Sequence, residues 1–428
     1  MDWKILGRGK GLKGEVVVPP DKSISHRAVM FGAIARGECR VDNFLFSEDC
    51  VATLEAFRSM GIEIVRDDNS LIVRGKGLNG LVSSPTKLYL GNSGTSMRII
   101  SGILVGQDFQ IELIGDESLS NRPMRRIIDP LTLMRADIRG EKDGLPPLKI
   151  IPSKEGLLGI DYVSPVASAQ VKSSILAAGL YASGQTVVTE PFQSRDHTER
   201  MLKYFSADIK TVDLTTTIKG GKELSPKDIH VPGDVSSAAF FIVAALIIGG
   251  SEIYLRNVGF NSTRTGLISV LDRMGAKIEI ENHRSGEEPT CDMRISSSRL
   301  KGTIVEKEEL PLLIDEVPIM IIAALKAEGR TVISGISELK VKETDRVKTM
   351  KDNLVRLGAD VAEKDDSLII EGGVGRFDAA ELNSFGDHRI AMSMAVAALN
   401  AEGESVIKNI DCARTSYPKF IEDLEKLQ

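Results

Sequence analysis

Residues 18–38 read VPPDKSISHRAVMFGAIARGE, and residues 231–252 read VPGDVSSAAFFIVAALIIGGSE. Both have a Val-Pro-x-Asp junction, a helix start of small residues and an apolar run, yet only the first carries cations, as Lys22, His26 and Arg27. Four further segments repeat the order of apolar helix, small or polar turn and β-branched strand: 96–116, 171–190, 317–336 and 390–410. Six copies at intervals of roughly 70 to 80 residues are spaced too widely for a solenoid and predict six compact α/β modules.

A second phrase recurs between the copies, a helix end followed by two β-branched runs around a polar turn. It is found at 59–75, 133–150, 204–220, 273–282 and 356–372. Alternating β-branched residues about Asp-Asp-Asn or Lys-Asp-Gly turns predict hairpin-like strand pairs. The six helices have almost no charge on any face, so they are expected inside their domains with the sheets as outer walls. Three modules per globular half follow, with the Val-Pro-x-Asp junctions as the crossings. The expected halves are residues 21–232, and residues 1–20 with 233–428. At 428 residues two or three domains are expected, and a cleft between them is the natural place for function.

Composition excludes several classes. The net charge of −6 and the 5% aromatic content argue against a basic, stacking nucleic-acid face. The longest apolar run falls short of the roughly 20 residues of a membrane span, and MDWKILGRGKGLKG has no apolar signal core. Cys39, Cys50, Cys291 and Cys412 lie far apart without CxxC spacing, and the five histidines form no paired-ligand pattern. A cytoplasmic, reducing location without disulfide or metal is therefore expected.

Polar residues gather just before the apolar helices. DKSISHR offers Lys22, Ser23 and Arg27; GNSGTSMR offers Asn92, Ser93, Thr95 and Arg98; SAQVKS offers Ser168, Gln170 and Lys172; GDHR offers His388 and Arg389. Unpaired N–H groups and a partial positive charge at helix N-termini suit phosphates or carboxylates. Local N-capping accounts for Ser, Asn and Asp at such positions, and GDVSSAAF fits capping alone. Capping does not require the recurring cations. The charge run KVKETDRVKTM, with Lys340, Lys342, Glu343, Asp345 and Arg346, has the composition of a solvated helix face. Asp315 and Glu316 stand inside an apolar stretch, a setting that raises a carboxylate pKa and suits a general base. SLSNRPMRR adds Arg122, with geometry for bidentate anion contacts.

Together DKSISHR, GNSGTSMR, NRPM, ASAQVKS, DHTE, IDEVPI, ELKVKETDR and GDHRIAM, in this order from about residue 19 to Pro418, closely resemble the 5-enolpyruvylshikimate-3-phosphate synthases. The resemblance implies the α/β enolpyruvyl transferase fold, two domains each of three βαβαββ units closing on substrates. It implies transfer of the enolpyruvyl group of phosphoenolpyruvate to the 5-hydroxyl of shikimate 3-phosphate by addition and elimination, with neither metal nor organic cofactor. By position, Lys22, Ser23, Arg27, Ser168, Gln170, Arg195, Asp315 and Lys342 would hold shikimate 3-phosphate. Lys22, Gly94, Arg122, Gln170, Arg346 and Arg389 would hold phosphoenolpyruvate. Asp315 would be the base, with Lys342 or Glu338 managing the proton at the methyl carbon and Lys22 assisting. The partners expected are these two small molecules, with no nucleic acid, no membrane and a monomeric chain.

The sequence departs from the family pattern in places. Pro20 replaces the usual junction glycine, Glu338 stands where part of the family has Asn, and Thr415 where the same part has Lys. With SAQVKS, these bring the chain nearer the subgroup some of whose members tolerate glyphosate, although Gly94 is the small residue that normally admits this inhibitor. The sister transferase acting on UDP-N-acetylglucosamine is the alternative. It relies on a reactive loop cysteine, and no Cys lies between Cys50 and Cys291 here. A non-catalytic anion-binding or RNA-end-processing relative would not need Asp315 and the KETDR cluster together.

Overall fold

All six apolar segments form helices: Lys22–Ile34, Gly94–Leu104, Ala169–Gly179, Val235–Ile247, Val317–Lys326 and His388–Leu399. In the computed structural model, which describes every residue except Arg8, these helices are buried nearly all round. Every residue from Val235 to Leu246 and from His388 to Leu399 is shut off from solvent. A helix with no polar face has no stable position at a surface, so the sheets take the outside.

The chain divides into two compact units. One is Pro20–Val231; the other joins Met1–Pro19 to Pro232–Gln428. Each has its own continuous apolar core and three four-stranded sheets. Five of the six sheets follow one plan: a parallel edge strand, a strand leaving the buried helix, and an antiparallel hairpin. In the second sheet Leu88–Tyr89 pairs parallel with Ile111–Ile114, which pairs antiparallel with Leu148–Ile151 and then Asp137–Arg139.

Chain ends complete the modules next to the crossings. Ile229–His230 supplies the parallel edge to Arg36–Asp42, and Lys13–Val16 supplies it to Glu252–Gly259. The sixth copy lacks a hairpin phrase because its antiparallel partner comes from the N-terminus, where Trp3–Gly7 pairs with Ala401–Lys408. The two crossings also differ physically. Gly233 donates its N–H to the Asn257 carbonyl at 2.8 Å, a bond that a proline at that position could not make. Pro20 is therefore a substitution open only to the first crossing.

Close helix packing places the site residues of the Pro20–Val231 unit. A Cβ on Gly102 would lie 2.1 Å from the Ser174 carbonyl oxygen, so only glycine lets the Gly94 and Ala169 helices approach this closely. Their N-terminal turns are thereby brought within side-chain reach of each other.

Candidate active site

In the Pro20–Val231 unit, Asp21 caps the first buried helix, accepting from Ile24 N at 2.9 Å. Lys22 follows and pairs with Asp49 Oδ2 at 2.9 Å. Arg27, one turn on, is buried and held by three acceptors: Nε donates to Thr198 Oγ1 at 2.7 Å, one terminal nitrogen to Ser173 Oγ at 2.9 Å, and the other to the Ser23 carbonyl at 3.0 Å. Its rotamer is thus fixed by helices more than a hundred residues apart in sequence, the arrangement expected of a preorganised cation.

The Gly94 helix is capped by Ser93. Arg122 donates to Asn92 Oδ1 at 2.5 Å and to Ser118 Oγ at 3.0 Å, and an added Cβ on Gly94 would lie 3.3 Å from its guanidinium. Across the close helix pair, Gln170 accepts from Arg98 at 2.5 Å and donates to Thr95 Oγ1 at 2.9 Å. Ser168 caps the Ala169 helix. Arg195 is half-buried just before the helix His197–Tyr204.

Lys172 corrects the reading of SAQVKS as three anion-facing residues. It is buried and pairs with Glu190 at 2.6 Å and Glu199 at 2.7 Å. Burial opposes its charge, but the two carboxylates outweigh burial and raise its pKa. Glu190 also accepts from Ser194 Oγ at 2.6 Å, so Lys172 ties the Ala169 helix to the segment before Arg195 and is not offered to a ligand.

In the other unit, Arg346 is 1% exposed and touches three carboxylates. Nε donates to Asp387 at 2.9 Å, and the terminal nitrogens reach Asp315 at 3.1 Å and Glu343 at 2.5 Å. The carboxylates outweigh burial and raise its pKa above the usual arginine value. The KETDR run is therefore not one solvated face: Lys340 is exposed against Glu363, whereas Arg346 opens the helix Arg346–Arg356 from the interior.

Arg389 is held more loosely, 3.6 Å from Asp315 and 3.5 Å from Glu316. Asp315 thus sits between two guanidinium groups, between the short helical turn Leu310–Leu312 and the buried helix Val317–Lys326. Glu338 lies in the short helical turn Ile336–Val341, and Lys342 ends it; both are half-buried.

The second Val-Pro-x-Asp junction also has a cation, drawn from elsewhere in the chain. Buried Arg264 pairs with Asp234 at 3.1 Å and donates to Ser236 Oγ at 2.8 Å, and Ser236 in turn donates to Glu316. Sequence reasoning missed Arg264, Asp49, Glu316 and Asp387 as partners because each lies far along the chain from its counterpart. Thr198 inside DHTE, Asp387 inside GDHR and Glu316 inside IDEVPI each had a local signal, but not one that told what they would pair with. The cysteine chemistry of the alternative enzyme also has no support: burial raises all four thiols, Cys291 to about 12 and Cys412 to about 11.

Two three-module units with cations and serines at buried-helix N-termini define an enolpyruvyl transferase. The enolpyruvyl transferase NikO of Streptomyces tendae shares this fold at a TM-score of 0.76 and 19% identity, over 99% of this chain and 96% of that one. The chain belongs to the EPSP synthase (3-phosphoshikimate 1-carboxyvinyltransferase) family, whose model matches residues 6–424. It is 51% identical to the 3-phosphoshikimate 1-carboxyvinyltransferase of Geobacter metallireducens over 421 residues, 98% of this chain and 97% of the relative. The solved EPSP synthase of Acinetobacter baumannii matches at a TM-score of 0.87 and 46% identity, covering 100% of this chain and 98% of that one.

Proposed function

We propose that this chain transfers the enolpyruvyl group of phosphoenolpyruvate to the 5-hydroxyl of shikimate 3-phosphate, releasing phosphate. The observation that carries the mechanism is Asp315, oriented by ion pairs to Arg346 and Arg389 on its two oxygens. A general base needs a fixed direction as well as a proton affinity, and two arginines beside it suit the carboxylate and phosphate of phosphoenolpyruvate.

In the addition step Asp315 takes the proton of the 5-hydroxyl as its oxygen bonds to C2 of phosphoenolpyruvate. Lys342 or Glu338 gives a proton to C3, forming the tetrahedral ketal. In the elimination step the bond from C2 to the phosphate oxygen breaks, its electron pair leaves with phosphate, the proton held by Asp315 passes to that departing phosphate, and a C3 proton returns to the group that gave it. Lys22, Arg122, Arg346 and Arg389 carry the charge of the phosphoenolpyruvate phosphate and carboxylate, so positioning and electrostatics supply much of the rate. Ser23, Arg27, Ser168, Gln170 and Arg195 hold shikimate 3-phosphate, with Gln170 shared between the substrates.

We read the chain as a monomer, and as a protein of the reducing cytoplasm, where widely separated cysteines remain free thiols. Among the described residues no helix is long and apolar enough to cross a membrane. Phosphate release tests the function. It is expected when phosphoenolpyruvate is mixed with shikimate 3-phosphate and absent with UDP-N-acetylglucosamine; the reverse pattern would overturn the assignment.

A further inference from the structure

His26 belongs to DKSISHR but has no part in the chemistry above. It is wholly buried on the Lys22 helix, with Nδ1 2.8 Å from Thr53 Oγ1 of the helix Glu48–Ser59. Thr53 Oγ1 is 2.6 Å from Ser96 Oγ, and Ser96 Oγ donates to Ser93 Oγ at 2.7 Å. Ser93 Oγ also accepts the Ser96 backbone N–H at 3.1 Å. A buried chain of polar groups thus runs from the first helix through the second to the cap of the third.

We infer that His26 is a positioning residue for the phosphoenolpyruvate half of the site, fixing the proton direction of this relay so that Ser93 donates beside Gly94. The inference rests on the reading of Gly94 and Arg122 as phosphoenolpyruvate contacts.

Proton counting sets the direction, since each hydroxyl has one proton to give. Ser96 gives its proton to Ser93 at 2.7 Å in preference to His26 Nδ1 at 3.4 Å, and the 2.6 Å Thr53–Ser96 bond takes the proton of Thr53 in preference to the Asp49 carbonyl, which lies at 3.3 Å. Thr53 then has none left for the imidazole, and Nδ1 is the N–H donor. Burial, aided by the charges of Lys22 and Arg27, holds the imidazole pKa well below its usual value, so the ring is neutral with Nε2 bare. Nε2 has no hydrogen-bond partner among the described groups, and a buried lone pair without a partner is tolerated better than an orphaned N–H.

Ser93 therefore accepts twice, and its own proton is available to point away from the relay. The opposite tautomer would reverse every hydroxyl, turning that proton inward to Ser96 and presenting a lone pair beside Gly94. An anionic ligand favours the first arrangement. The same chain steadies residues 92–94, which orient Arg122 through Asn92. Thr53 lies one turn from Asp49, the partner of Lys22, so the relay ties together the helices that carry Lys22, Asp49 and Gly94.

The test is steady-state kinetics on the full chain. Thr53→Val removes the hydroxyl at nearly constant shape and is expected to raise the KM for phosphoenolpyruvate about 5- to 10-fold, leaving that for shikimate 3-phosphate within about twofold. His26→Asn places an amide nitrogen near the Nδ1 position and should stay close to wild type, whereas His26→Gln, reaching the Nε2 position, should behave like Thr53→Val. Arg122→Lys is the control. If it raises the phosphoenolpyruvate KM while Thr53→Val and His26→Gln do not, the relay is overturned and the site reading stands. If Arg122→Lys leaves that KM unchanged, the site reading fails and the relay's role with it. Equal behaviour of His26→Asn and His26→Gln, or a fall in Tm with both KM values unchanged, also overturns the inference in favour of a purely structural histidine.

Discussion

Arg346 donates from Nε to Asp387 Oδ2 at 2.9 Å, and both side chains are closed to solvent. Arg389 meets its carboxylates only at 3.5 and 3.6 Å. Two arginines proposed for one substrate thus have different structural duties. Arg346→Met strips three carboxylates of their shared cation and should cost about 3–5 kcal/mol. Arg389→Lys should leave the melting temperature nearly unchanged and raise the phosphoenolpyruvate KM by about tenfold or more. Thermal melts beside steady-state kinetics check this, and equal destabilisation by the two substitutions would refute the distinction.

Lys22→Ala should lower turnover by about 10²–10³-fold or more, the usual cost of losing a charge-stabilising donor. Because Asp49 is nearly buried beside it, the loss should also cost some stability, about 1–3 kcal/mol. Adding Asp49→Asn removes the stranded charge, so the double variant should recover its melting temperature but not its activity. A wild-type rate in Lys22→Ala would take Lys22 out of the site.

These two sites show why part of the design was legible in the sequence. A helix that must be buried all round announces itself by the absence of charge, so the six copies could be read directly. The cations could be read too, because Lys22, Arg27, Arg346 and Arg389 sit in short stretches dense with polar residues. Their partners could not. Arg27 meets Thr198 across 171 positions, and Arg264 reaches back 30 to Asp234; such pairings depend on how helices are set against one another. For the same reason Lys172 resembled a ligand-facing cation although Glu190 and Glu199 enclose it. The sixth sheet hid in another way, since its antiparallel strand is the first strand of the chain.

Gly94→Ala should fold and bind shikimate 3-phosphate normally while weakening phosphoenolpyruvate. The new Cβ would lie 2.9 Å from an Arg98 nitrogen and 3.3 Å from an Arg122 nitrogen. Both are ends of flexible side chains, so the protein yields by moving its cations, not its backbone. Displacing a charged contact in this way is worth about 1.5–3 kcal/mol, or roughly 10- to 100-fold in KM for phosphoenolpyruvate. Glyphosate inhibition of the same variant should weaken if the inhibitor uses this position. A KM within twofold of wild type would remove Gly94 from the contact set.

The buried group of Lys172, Glu190 and Glu199 makes stability depend on pH with a definite sign. Burial raises the Glu199 pKa above its ordinary 4.5 despite the nearby Lys172. Between 4.5 and the raised value the folded chain binds more protons than the unfolded one, so stability from this group is greatest below 4.5 and falls as pH rises through the folded pKa. Glu199→Gln keeps the Lys172–Glu190 pair at 2.6 Å and removes that titration. Relative to wild type, the variant should therefore gain stability as pH rises from 4.5 and hold a constant offset above the folded pKa of Glu199 through the neutral range. Lys172, whose own pKa is raised, adds stability that is full below 10.5 and is lost only as pH climbs through its folded value; Glu199 is the leading carboxylate that raises it, so that alkaline loss should be smaller in Glu199→Gln than in wild type. Melting temperatures at closely spaced pH values decide the matter: parallel curves for wild type and Glu199→Gln through the acidic and neutral range would show that Glu199 is charged in the fold as readily as in the unfolded chain.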